Sequence, residues 1–145
     1  MAVFLLTLIV IIVSGQFYAA GNMTSNGATN AKRVYFIKSL GLSPDEDNQE
    51  SKNVTVPKTF SQVYENYNEL QKKAGYDLSG YKGAKVTVFT YPVGKVSPEN
   101  DDDYYATLMV YKGRIIGGDI SSRNFYGEML PLASVKKDDE ERKTG

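Results

Sequence analysis

The sequence predicts an α+β fold: an antiparallel sheet of about four strands with two helices packed on one face, in the order α-β-α-β-β-β, preceded by an N-terminal membrane helix. Three observations predict it. The extended segments cluster late in the chain, and two of them flank Lys112-Gly113, a two-residue link with a glycine that reads as a hairpin turn. Apolar residues recur at steps of three and four between Phe60 and Ala74, the mark of an amphipathic helix. Finally, all 17 basic and all 17 acidic residues lie from Lys32 onward, which leaves a water-seeking body behind a membrane-seeking leader.

The leader is Ala2 to Val13, apolar except for Thr7. A run of this length is too short for a hydrocarbon core of ~30 Å, which needs about 20 apolar residues. Extension to Ala20 accepts Ser14, Gly15 and Gln16 and places Phe17 and Tyr18 at headgroup level, where amphipathic rings favour one wet end. Residues 1–20 are thus read as a membrane anchor, giving a single-pass protein of the cell membrane with its domain outside the cytoplasm. The competing reading is a cleaved signal segment and a secreted product. The basic residues expected before either are missing, which a start codon placed too far downstream would explain. No cysteine follows the run, so no lipid attaches there and no disulfide staples the domain.

Gly21 to Asn30 is small and polar and reads as a flexible spacer. Val34, Ile37 and Leu40 then recur at three-residue steps and predict a helix from Asn30 or Ala31 to Leu40, stopped by Gly41. Ser43 to Glu50 is a polar loop whose acids lack calcium-loop spacing. Lys52 to Val56 is a short strand, ended by Pro57. In the second helix, Thr59 is placed to cap and Gln62 to reach back. Its predicted apolar stripe is Phe60, Val63, Tyr64, Tyr67, Leu70, Gln71 and Ala74, with Glu65, Asn66, Glu69, Lys72 and Lys73 opposite. A compact turn spans Tyr76 to Gly83. Strands follow at Lys85–Tyr91, Tyr104–Tyr111 and Arg114–Ile120, and Phe125–Leu132 is an irregular or strand segment. The domain is bounded at 31–132, and residues 133–145 form a loose charged tail.

After the leader and spacer about 115 residues remain, enough for one domain with its own core. With zero net charge and no basic stripe in the sequence, nucleic acid is not an expected partner. The absence of histidine and cysteine excludes nucleophile-base pairs built on either. No catalytic residue, cofactor site or metal site is assigned. The residues singled out as a candidate interaction set are Asp77 and Ser79 in the turn after the second helix, and Gly117, Gly118 and Asp119 in the last long strand. Glycines let a backbone approach a ligand, and an aspartate can accept a proton or bind a cation. The bland counterparts are a turn in which Asp77 and Ser79 bond their own backbone, and a bulge with Asp119 bonding nearby amides.

Several blocks stand out together: Tyr67-Asn68-Glu69-Leu70-Gln71, Gly75-Tyr76-Asp77-Leu78-Ser79, and Ile116-Gly117-Gly118-Asp119-Ile120. With Val56-Pro57 and Val110-Tyr111 they resemble a family of small Gram-positive bacterial proteins catalogued as a domain of unknown function, number forty-eight thirty. The resemblance covers about Lys32 to Leu132. It implies a membrane segment at the start, as members often have, and carries no catalytic or ligand residues. Leu42 departs from the tryptophan members tend to carry there.

The expectation is therefore a membrane-anchored extracytoplasmic domain that binds an envelope protein or a wall polymer and catalyses nothing. The alternative is a hydrolase using carboxylates near Asp77 and Asp119. A third reading is a pseudo-enzyme or inhibitor presenting the sheet face, which a flat exposed patch containing Phe89 and Tyr91 would favour.

Overall fold

The computed structural model describes residues 25–135. Among them no helix is long and apolar enough to cross a membrane, and the apolar segment of residues 1–20 lies outside the described residues. The elements are α1 (Asn30–Ser39), β1 (Glu50–Thr55), α2 (Gln62–Lys73), a 3-10 turn (Leu78–Tyr81), β2 (Lys85–Gly94), β3 (Tyr104–Tyr111), β4 (Arg114–Ser122) and β5 (Met129–Pro131). The sheet has five antiparallel strands in sequence order, one more than the sequence reading of about four, because Met129–Pro131 pairs with Ser121–Asp119.

The two helices do not share a face, as the sequence reading had them. Side chains alternate along β2 and β3, and the two parities feed two separate cores. Tyr91, Val93, Tyr104, Ala106, Leu108 and Val110 pack with Val34 and Ile37 of α1. Val86, Val88, Met109 and Ile116 pack with Leu78 and with Tyr64 and Tyr67 of α2. The sheet is thus apolar on both sides, which one layer of helices could not cover.

Thr29 caps α1, and Gly41 ends it with a left-handed φ of 89°. Residues read as spacer belong to the fold: Asn26 bridges to Arg114, and Gly27 N donates to Gly113 O at 2.9 Å. At the other terminus Val135 N donates to Leu40 O at 3.1 Å. Arg33 is buried under α1, a position no apolar pattern marks. Its guanidinium lies 3.5 Å from the Phe89 ring centre, its Nε donates to the Tyr91 hydroxyl at 2.9 Å, and its Nη1 donates to Gly27 O at 2.8 Å. Tyr91 is wholly buried, so the exposed patch containing Phe89 and Tyr91 that would favour the inhibitor reading is not formed.

Ser61 caps α2, accepting from Tyr64 N, in place of Thr59. Gln62 bonds Asn66 rather than reaching back. The helix is also rotated from the predicted stripe. Gln71 is buried as the stripe predicts, but Val63 is 79% exposed and Leu70 half-buried, while Asn68, outside the stripe, is buried. Polar residues lie inward because the surfaces they meet offer polar partners: Gln71 accepts from Gly118 N on β4, and Asn68 bonds Asp77 and Leu78 N of the 3-10 turn.

The Lys112-Gly113 turn forms as predicted, with φ of 48° and 75°. Beyond it the register slips: Val110 faces Ile115 and Met109 faces Gly117, leaving Ile116 as the extra residue of a bulge. β2 continues through Pro92 to Gly94 instead of stopping at Pro92. Pro92 is tolerated because β1 ends opposite Thr90, so the ladder asks no N–H of it on that edge.

Candidate functional site

The five singled-out residues lie along one side of α2, and the structure gives each a partner. Asp77 caps the 3-10 turn, its Oδ1 accepting from Ser79 N at 2.9 Å and Ser79 Oγ at 2.6 Å. The same oxygen accepts from Asn68 Nδ2 at 2.9 Å, and Asn68 Oδ1 accepts from Leu78 N at 2.7 Å. Hydrogen bonds from Asn68 and then Ser79 hold the Asp77 carboxyl below its ordinary range. Buried Asn68 thereby fastens the turn to the helix.

On β4, Gly118 N donates to Gln71 Oε1 at 2.8 Å. That reach depends on Gly117, where a Cβ would stand 2.7 Å from Gln71 Oε1 and 3.1 Å from Leu78 Cδ2. Gln71 Nε2 is buried with no hydrogen-bond partner of good geometry, yet its dipole offsets part of the upward shift on the Tyr67 hydroxyl. Asp119 is buried, accepting from the Tyr67 hydroxyl at 2.7 Å and from the Ser121 hydroxyl. These partners are hydroxyls, not the amides expected from the sequence. The bulge itself is present, one residue before the glycine pair.

Burial pushes the Asp119 carboxyl above its ordinary value of 3.8, against the Ser121 and Tyr67 hydrogen bonds that favour the charge. Burial first, then the Asp119 charge, drives the Tyr67 hydroxyl upward, so it remains a donor at neutral pH. A raised folded-state value means that the native state holds a proton the unfolded chain releases. Asp119 therefore contributes stability that is complete below the unfolded value and is lost as the pH climbs through the folded one. Asp119→Asn copies the uncharged form. In urea titrations between about pH 4 and pH 7, the variant's midpoint is expected to gain on the parent's as pH rises. A gap independent of pH would refute this account.

The arrangement is a lock between α2 and β4. It leaves neither carboxylate poised for chemistry: Asp77 caps a turn, and Asp119 lies under Tyr67. Among the described residues no group of acids converges as a metal site would require.

An open cavity of about 610 Å³ lies elsewhere, on the α2 side of the sheet at the end where β2 meets β3. Its lining includes Asp47, Gln49, Glu50, Thr90, Tyr105 and Arg123. Asp45 shapes the loop above it: its carboxylate accepts from Asp47 N, Asn48 N and Asn48 Nδ2, and its N–H donates to Pro92 O. Asn48's hydrogen bond holds the Asp45 carboxyl below its usual range. Gln49 Oε1 is buried and accepts no hydrogen bond. Arg123 sits 5.0 Å over the Tyr105 ring. The wall is rich in acceptors, with one aromatic face and one cation. The sequence passed over it because its residues come from four separate segments and form no motif.

A family model described as Domain of unknown function (DUF4830) matches residues 36–120, more than half of the chain. The chain belongs to this family. No curated protein and no solved structure matches it. The family match starts inside α1 and stops at Ile120, so every residue of the α2–β4 lock except Ser121 falls within it, while β5 and Arg123 lie beyond it. In this chain the Tyr-Asn-x-Leu-Gln and Ile-Gly-Gly-Asp blocks are the two halves of one buried contact.

Proposed function

We propose that the chain is a membrane-tethered binding module displayed outside the cytoplasm, with no catalytic role, whose ligand is a hydroxyl- and amine-bearing envelope polymer. The observation that carries this reading is the acceptor-lined cavity beneath the Asp45–Glu50 loop. Asp47, Glu50 and the unsatisfied Gln49 Oε1 suit donors on a ligand, and the Tyr105 ring suits the apolar face of a sugar. The tether is residues 1–20; a secreted form, cleaved after that segment, would keep the same site.

The hydrolase alternative requires Asp77 and Asp119 to converge on one cleft, and their roles as turn cap and buried acceptor speak against it. An envelope protein as partner is favoured by a different observation. Phe125 and Tyr126, stacked edge-to-face at 5.2 Å in the β4–β5 loop, are each 92% exposed.

Sedimentation of the full chain with insoluble wall material tests the proposal. Tyr105→Ala with Arg123→Ala is expected to weaken co-sedimentation by at least about tenfold. Phe125→Ser with Tyr126→Ser is expected to leave it unchanged. The opposite pattern would overturn the polymer reading in favour of the aromatic loop. Protease accessibility on whole protoplasts tests the location.

A further inference from the structure

We propose that the sheet end carrying the β3–β4 turn is a seat for anionic lipid headgroups, continuous with the outer groove of α1. The proposal rests on the membrane tether above and adds how the domain stands on the bilayer.

The strand registers sort the loops into two ends. At one end lie the β3–β4 turn, the link from β1 to α2 and the turn before β2. These bring together exposed Lys58, Lys82, Lys85 and Lys112; residues 56–61, 78–84 and 112–113 include no acid, and Asp77 stands just before the second of these stretches. They form one surface. Val56 and Gly83 are hydrogen-bonded, and Tyr81 and Tyr111 meet edge-to-face at 5.6 Å. Lys82 and Lys112 lie over the Phe60 and Tyr111 rings at 4.7 and 5.2 Å, basic groups on aromatic supports. At the other end, roughly 25 Å along β3, lie the loops with Asp45, Glu46, Asp47, Glu50, Glu99, Asp101, Asp102 and Asp103. The chain's zero net charge therefore conceals a molecule with a basic end and an acidic end.

The described chain begins at the basic end, where Asn26 bridges to Arg114. Ser25 and Asn26 also form one wall of an apolar groove of about 470 Å³ on the outside of α1, with Lys32, Tyr35 and Phe36. Tyr35 is 78% exposed, and α1 contains no acid. From Ala20, the end of the tether, to Ser25 the chain can reach at most about 18 Å. The lysines and the groove are thus the part of the domain held nearest the bilayer. Each lysine near an anionic leaflet contributes about fivefold in binding, and a tyrosine suits the interface. Seated this way, the domain turns the α2 side of the sheet and its polar cavity away from the lipid.

The chain has no cysteine, so Ala31→Cys, in the groove, and Phe125→Cys, in the distal loop, each take a single nitroxide label in the full chain. The labelled chains are reconstituted in phosphatidylcholine vesicles with and without phosphatidylglycerol. With phosphatidylglycerol, the label at position 31 should lose collisions with an aqueous nickel chelate, and the label at 125 should not. Lys82→Glu, Lys85→Glu and Lys112→Glu together should weaken that protection by about a hundredfold, and high salt should do so without any substitution. Failure of the chain to float with vesicles removes the tether and the seat with it. Flotation with position 31 as accessible as 125 overturns the seat alone. So does protection by a DNA duplex in place of the anionic lipid.

Discussion

Gly118→Ala is expected to destabilise the domain by more than about 3 kcal/mol, measured by urea unfolding followed by circular dichroism. A Cβ at this position would stand 1.9 Å from Thr107 O, and φ there is 153°, outside the ordinary range of L side chains. No rotamer relieves a clash with backbone. β4 must separate from β3 at the Leu108–Gly118 pair, in the middle of the sheet. Small domains have only about 5–15 kcal/mol in hand, so loss of the folded form at raised temperature should follow. Gly80→Ala is the control, because a Cβ there meets nothing within 4 Å. It should be neutral or stabilise by up to about 1 kcal/mol. Equal effects of the two substitutions would defeat the close-approach argument.

The second large effect belongs to Gln71. Gln71→Ala is expected to cost about 3 kcal/mol, because it opens a cavity and strips the buried Gly118 N–H of its acceptor. Gln71→Met keeps most of the volume and removes the acceptor together with the unpartnered Nε2, whose loss offsets part of the cost, so about 1 kcal/mol should be lost. The two values separate packing from hydrogen bonding. If Gln71→Met matches the parent, the lock is held by shape alone and Gly118 N has found another acceptor. Neither substitution touches the polar cavity. Binding to wall material should survive wherever the protein remains folded, and a loss of binding in a folded variant would move the candidate site to the lock.

The elements that were legible in the sequence are those with strong local chemistry. Lys112-Gly113 reads as a hairpin turn because its short link and glycine suit left-handed backbone, and both residues adopt it. The α1 positions Val34, Ile37 and Leu40 read as a face because each is apolar and all are buried. The α2 face was misread by the same rule. Apolar periodicity admits Val63 and passes over Asn68, yet Val63 is exposed and Asn68 lies inside. What decides the rotation is the partner surface: Asp77 and Leu78 N engage Asn68, while on β4 Gly117 leaves room, Gly118 presents an N–H to Gln71 and Asp119 presents an acceptor to Tyr67. Buried Arg33 was missed for the same reason, since its partners Phe89, Tyr91 and Gly27 come from elsewhere in the chain.

The sequence by itself determined the family, the α+β class, the late antiparallel strands and the hairpin, because turn chemistry and short-range periodicity act between near neighbours. Only the tertiary structure decided that the helices lie on opposite faces, that the glycine–aspartate block is a lock, and that scattered lysines share one end. Those outcomes depend on side-chain parity across a five-stranded register and on close contacts between distant segments. The bulge at Ile116 shows the difference most directly. The glycine pair points to a bulge, but its position at Ile116, which sets which side of β4 meets α2, is decided by the register against β3.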